Sequence, residues 1–245
     1  MNRIQTACVC CMAVFPLAAL AGDMQKIYFD AQGHLLTKAG AAVYERDYTV
    51  SDDLARVQDF YYPSGKKYSD PYEVDVSEIK TFVPKLQNGT LTLWHINGNK
   101  KMVGSYRNGL PHGVWTNWYP SGAISAQMPY IKGKTEGTGS RYYTNGKKES
   151  EIQFANNKAS GIYRQWYPSG KPKSESVIRN DAVLQRVTWE ESGRLTSELN
   201  IKNGKRSGVV LEWYPGGAKK SEMLYENDVL VGSSRWNQAG ELLED

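Results

Sequence analysis

Few side chains in this 245-residue chain have a type and spacing suited to chemistry. The histidines are His34, His95 and His112, each beside turn-forming residues and far from the others. A metal ion needs ligands at close spacing, such as two histidines about three to five residues apart, so no metal site is expected. Ser64, Ser121 and Ser169 sit in identical Pro-Ser-Gly triplets. A serine copied for turn geometry is a poor nucleophile candidate, and the Gly-x-Ser-x-Gly elbow is absent. Gly137-Thr-Gly139 lacks the remaining glycines and the lysine of a phosphate loop. The sequence therefore predicts no catalytic residue, no metal ligand and no cofactor, and a protein that is not an enzyme.

Its recurring side chains suit binding instead. Glu151, Glu175, Glu198 and Glu222 each fall five residues after a glycine, with Gln127 in the same register. On a sheet they would form a column of like charge at about 9.6 Å spacing, weakly repelling because the Debye length is about 8 Å. Such a stripe would meet a basic partner. Lys66-Lys67, Lys100-Lys101, Lys147-Lys148 and Lys219-Lys220 follow turns and would line one edge, a ridge able to touch anionic lipid headgroups or an acidic protein. Trp115 stands where other copies have Gly139, Tyr163, Val187 and Val210. An unmatched tryptophan is a candidate interface anchor, and Tyr119, Tyr143, Tyr167 and Tyr214 run along the same side. The candidate partner-binding set is thus Trp115, Tyr119, Tyr143, Tyr163, Tyr167, Tyr214, Glu151, Glu175, Glu198 and Glu222.

The elements that position these residues are repeats. Gly33, Gly65, Gly98, Gly122, Gly146, Gly170, Gly193, Gly217 and Gly240 follow one another at intervals of 32, 33, 24, 24, 24, 23, 24 and 23 residues. An aromatic lies four residues before each: Phe29, Tyr61, Trp94, Trp118, Tyr142, Trp166, Trp189, Trp213 and Trp236. A fixed period marks a repeat array. Within one copy, Val114 to Tyr119 alternates as a strand, Pro120-Ser121-Gly122 turns, Ala123 to Ile131 returns, and Lys132-Gly133 turns again. The second turn recurs as Asn108-Gly109, Asn156-Asn157, Asn180-Asp181, Asn203-Gly204 and Asn227-Asp228, pairs that accept left-handed backbone. The predicted fold is all-β, an extended antiparallel meander of 24-residue hairpins. Only Ser51 to Gln58 leaves room for a helical turn. The repeated aromatics are expected to stack into the core of the array, with residues 22–87 as a divergent cap, residues 88–245 as the regular array and the acidic tail Glu241 to Asp245 blunting its far edge.

Trp-Tyr-Pro-Ser-Gly, glutamate five residues after the glycine, then an apolar or aromatic residue and Asn-Gly together resemble the MORN-variant repeat, from about Gly89 to Gly240. The chain departs from that pattern at Gln185, where other copies have glycine, and in its first third. The resemblance implies an extended antiparallel sheet. It also implies an antitoxin-like role, since relatives of this kind include periplasmic immunity proteins that neutralise type VI secretion effectors, phospholipases among them.

Composition adds the setting. Arg3 followed by the apolar run Ala7 to Leu20 and the small-residue site Ala19-Leu20-Ala21 reads as a secretory leader over residues 1–21, cleaved after Ala21. Its loss removes Cys8, Cys10 and Cys11, every cysteine in the chain, and an exported chain without cysteine favours a bacterial periplasm. Loss of Arg3 lowers the formal net charge from +4 to +3. Near balance predicts no nucleic-acid partner and leaves two expectations. One is a protein toxin as partner; the other is a membrane or envelope scaffold using the lysine ridge.

Overall fold

The computed structural model describes residues 23–83 and 85–243. The assigned leader, with its cleavage site after Ala21, lies outside the described residues, as do Glu244 and Asp245. The fold is all-β apart from two short 3-10 turns at Ala39–Ala41 and Val76–Glu78.

Two antiparallel sheets form. The first holds β1 (Gln25–Phe29), β2 (Leu35–Leu36), β3 (Tyr44–Ser51), β4 (Leu54–Tyr61), β5 (Lys66–Lys67) and β6 (Tyr72–Asp75). The stretch that left room for a helical turn is the β3–β4 hairpin, because Asp52 takes φ 54° and turns the chain at once. The second sheet begins with β7 (Asn88–Trp94), β8 (Lys100–Arg107), β9 (Leu110–Trp118), β10 (Ile124–Ile131), β11 (Lys134–Thr135) and β12 (Gly137–Tyr142). It continues through β13 (Lys148–Ala155), β14 (Lys158–Trp166), β15 (Pro172–Arg179), β16 (Ala182–Trp189), β17 (Leu195–Lys202) and β18 (Lys205–Trp213). It ends with β19 (Lys219–Glu226), β20 (Val229–Trp236) and β21 (Leu242–Leu243). Apart from β11, which pairs with β10, each strand of this sheet pairs with the next in chain order. β21 falls within the acidic tail Glu241 to Asp245, whose last two residues lie outside the described residues.

The turns explain the meander. In all six Asx- or Lys-led turns from Asn108-Gly109 to Asn227-Asp228 both central residues have φ between 49° and 78°. That is the type I′ hairpin, whose twist matches the strands it joins. At the wide turns of the second sheet the glycine N–H donates to the carbonyl three residues back, as from Gly170 to Tyr167 at 2.8 Å. The register then slips by one residue, so that Gln165 faces Ser174 while Trp166 faces Pro172. This recurrent bulge places the return strand's glutamate beside the residue two before the tryptophan.

The core is not the aromatic column. Fully buried apolar side chains gather where the first sheet meets the start of the second: Ala55, Val57, Val74, Leu86 and Leu91 lie in one cluster with Tyr68, Tyr72 and Met102. Phe29 alone of the column is fully buried, while the column members from Trp94 to Trp236 are half-buried. Beyond β10 the array is one layer thick among the described residues, so no second layer packs on the large rings. Its buried residues there are few and mostly small, including Ser150, Ser174, Ser176 and Ser221. Under the core cluster lies Arg46, fully buried. Its Nε and Nη2 donate to the Asp59 carboxylate at 2.7 and 3.1 Å, Nη2 also to the Tyr72 hydroxyl, and Nη1 to the Ile79 and Thr81 carbonyls. All five guanidinium donors are used, which is what burial of an arginine requires. The connection between β5 and β6 also pairs with the free edge of β7 at its Thr92 to Trp94 end. Ser69 bridges Leu93, and the Asp70 and Trp94 amides donate to Thr92 and Tyr68 carbonyls at 3.0 and 2.8 Å.

Candidate functional site

Along the second sheet the column aromatics alternate with one spacer residue from each return strand. Trp94 faces Lys100, Trp118 faces Ile124, Tyr142 faces Lys148, Trp166 faces Pro172, Trp189 faces Leu195, and Trp213 faces Lys219. The lysine spacers lie over the tryptophan of the following repeat. Lys100 stands 5.9 Å from the Trp118 ring centre, Lys148 5.8 Å from Trp166, and Lys219 4.7 Å from Trp236. Lys67, at the same position after Gly65, stands 3.9 Å from Trp94, and Arg194 covers Trp213 at 5.8 Å. These are cation–π distances. The expected lysine ridge is therefore partly folded inward, one member of each pair lying on a ring.

Pro172 breaks the series. Its ring is too short to fill the space a lysine arm fills elsewhere, and Trp189 carries no cation among the described residues. The result is an open groove of about 670 Å3 walled by Trp166, Trp189 and Pro172, with Glu151, Arg164 and Glu175 along its side. Residues of mixed character thus converge in one concave place, the kind of place where ligands are held.

The glutamates do not form a column of like charge. One cross-strand row runs Gln127, Ser140, Glu151, Arg164, Glu175, Val187, Glu198, Val209. Arg164 sits between two of them, its Nε 2.8 Å from Glu175 and its Nη1 3.3 Å from Glu151. Equivalent positions hold Thr116, Ser140 and Val187, so among the described residues only this repeat inserts a cation. The register sets Arg186, and not Val187 as counted from the sequence, at the level of Tyr163. The hydrogen bond from Lys148, then that from Arg164, holds the Glu151 carboxyl below its ordinary range. Glu222 lies outside the row, opposite Leu211, and pairs with Lys219 at 2.6 Å. Glu198 is exposed between two valines.

The tyrosines are placed at the turn edge. Tyr119 donates its hydroxyl to the Tyr142 carbonyl at 2.6 Å, Tyr143 to Trp166 at 2.7 Å, Tyr167 to Trp189 at 2.9 Å and Tyr214 to Trp236 at 2.9 Å. Each ties one repeat to the next. The ring of His95 makes the same bond to Trp118 at 2.9 Å. Glu190 occupies this position once and bonds Arg194 instead. Tyr163 lies in β14 between Ile152 and Ser176 and is half-buried. Trp115 packs edge-on against Tyr106 and Tyr130, covers Gly104 and donates its indole N–H to the Ser105 carbonyl at 3.2 Å. A side chain on Gly104 would overlap that indole. Of the sequence-derived set, the structure gathers only Glu151 and Glu175 at the groove. Arg164 and Pro172 were not singled out by sequence, and Trp189 was placed in the core column, whereas it is half-buried at the groove. The signal was present in the spacer position, which reads Lys, Lys, Ile, Lys, Pro, Leu, Lys after successive turn glycines from Gly65 to Gly217.

His34 pairs with Asp30 at 3.0 Å. No group of three or more potential metal ligands occurs among the described residues.

Comparison with known proteins places the repeats. The MORN repeat variant model matches three tandem segments, residues 111–132, 135–156 and 159–180, which hold most of β9 to β15. No curated protein matches the chain. Among solved structures, the crystal structure of TcdB2-TccC3 matches 90% of this chain and 15% of its own chain, at 13% identity and a TM-score of 0.16. The chain therefore spans a small part of that protein's length, and a likeness at that score carries no argument.

Proposed function

We propose that this repeat protein is an exported, non-catalytic scaffold whose column-bearing sheet face docks a protein partner, in the manner of an immunity protein that occludes a secreted toxin. The observation that carries the reading is the groove between Trp166 and Trp189 on an otherwise regular, long surface. Regular repeats provide area, and a single break in their pattern provides an anchor point. The export reading rests on the leader-like first 21 residues. Repeated serines and tyrosines have geometric duties in turns and repeat ties, which leaves little for turnover to use.

The test is co-expression with a secreted toxin encoded beside this chain. The proposal expects survival of the cells and a complex that co-elutes on gel filtration. Cell death with no complex counts against it. The alternative, a scaffold on anionic membrane, draws on lysines of which four lie on tryptophan rings. Sedimentation with anionic liposomes at low and high salt tests it, and no binding at low salt removes it.

A further inference from the structure

We infer that the groove over Trp189 is a receptor for a lysine or arginine side chain supplied by the protein partner. The inference rests on the scaffold reading and names the chemistry its anchor point recognises.

The reason is the array's own pattern. Five of the six column tryptophans hold a cation from this chain over the ring. Trp189 is the exception, and the residue that would supply its cation is Pro172. The ring face is therefore presented in the geometry that binds a cation elsewhere in the same sheet, with the cation missing. The interaction is an electrostatic attraction between positive charge and the negative ring face. Other interruptions of the lysine series do not leave this space. Ile124 precedes a tyrosine, and after Leu195 the neighbouring Arg194 reaches the next ring.

The groove wall suits the same occupant. Glu175 has Arg164 on one side, but its other cross-strand neighbour is the uncharged Val187. Glu198, next along the row, is exposed. An incoming cation thus meets the Glu175 carboxylate on the side away from Arg164. A lysine or arginine stem also has apolar length to lay along Pro172 and Trp166.

The test is titration of the purified chain, nitrogen-15 labelled, with acetyl-arginine amide and with its uncharged isostere acetyl-citrulline amide, following tryptophan indole N–H signals. The inference expects a saturable shift of the Trp189 signal with the arginine probe, with Trp236 unmoved. Citrulline should bind about two- to fivefold more weakly, the value of an exposed cation–π contact. Pro172→Lys supplies the missing cation internally and should abolish the shift. Glu175→Gln, which leaves the backbone pairing intact, should weaken the arginine probe and not the citrulline probe. Equal shifts with both probes, no shift, or an unchanged shift in a folded Pro172→Lys chain would overturn the inference. Because the probes are small molecules, such a failure leaves the scaffold reading standing, whereas failure of toxin protection leaves the probe result standing.

Discussion

The two sheets of this chain solve the problem of cohesion differently. The first sheet and the start of the second enclose a conventional core, with Val57, Val74, Leu86 and Leu91 at 2% exposure or less and a buried arginine whose donors are all used. The array beyond β10 encloses almost nothing. Its strands are held by ladder hydrogen bonds, by tyrosine hydroxyls that reach the next repeat and by cations lying on tryptophan rings. The first arrangement concentrates stability where many residues meet. The second distributes it as nearest-neighbour terms, as expected of repeat proteins. Distribution leaves broad faces uncovered, and uncovered faces are what a binding scaffold needs.

That contrast can be attacked from its strong end downward. Asp59→Ala strips the partner from a buried guanidinium and should cost about 3–5 kcal/mol, read as a loss of denaturation midpoint with the cap unfolding first. Trp166→Ala removes a half-buried ring and should cost about 1–2 kcal/mol. A loss as large as that of Asp59→Ala would mean the array has a core after all. Tyr167→Phe leaves the ring but frees the Trp189 carbonyl, for about 0.5–1.5 kcal/mol in thermal melts. The same change at Tyr163, whose hydroxyl makes no such tie between repeats, should cost less.

The smallest effect is one of pH. The Glu151 carboxyl is held below its ordinary value of 4.5 by Lys148 and then Arg164. A group depressed in the folded state stabilises above its unfolded pKa and loses that contribution as pH falls through the folded value. Carbon-13 titration should find Glu151 below its ordinary value, with Lys148→Met raising it. Because the pair is partly exposed, the stability change should be slight.

Much of the architecture was legible from residues. Pro-Ser-Gly and Asn-Gly turns at a fixed period define hairpins almost without help from tertiary contacts, so β-class, turn positions and meander order follow directly. Burial did not follow. A column of tryptophans looks like a core when only its spacing is known, because periodicity shows which residues share a face and not what covers that face. The glutamate column failed for a related reason, since counting from the glycines cannot reveal that Arg164 arrives from the neighbouring strand between Glu151 and Glu175. The groove was half visible. Lysines after turn glycines were noticed, but their stacking on the next repeat, and hence the meaning of Pro172, needs the cross-strand register.

The most direct test of the division between cap and array is native-state hydrogen exchange of the chain, resolved by strand. The account predicts that amides of β3, β4 and β7 exchange only through global unfolding, while β13 to β19 open in repeat-sized steps at lower free energy. A single common opening energy from β3 to β19, falling together as denaturant is added, would contradict it.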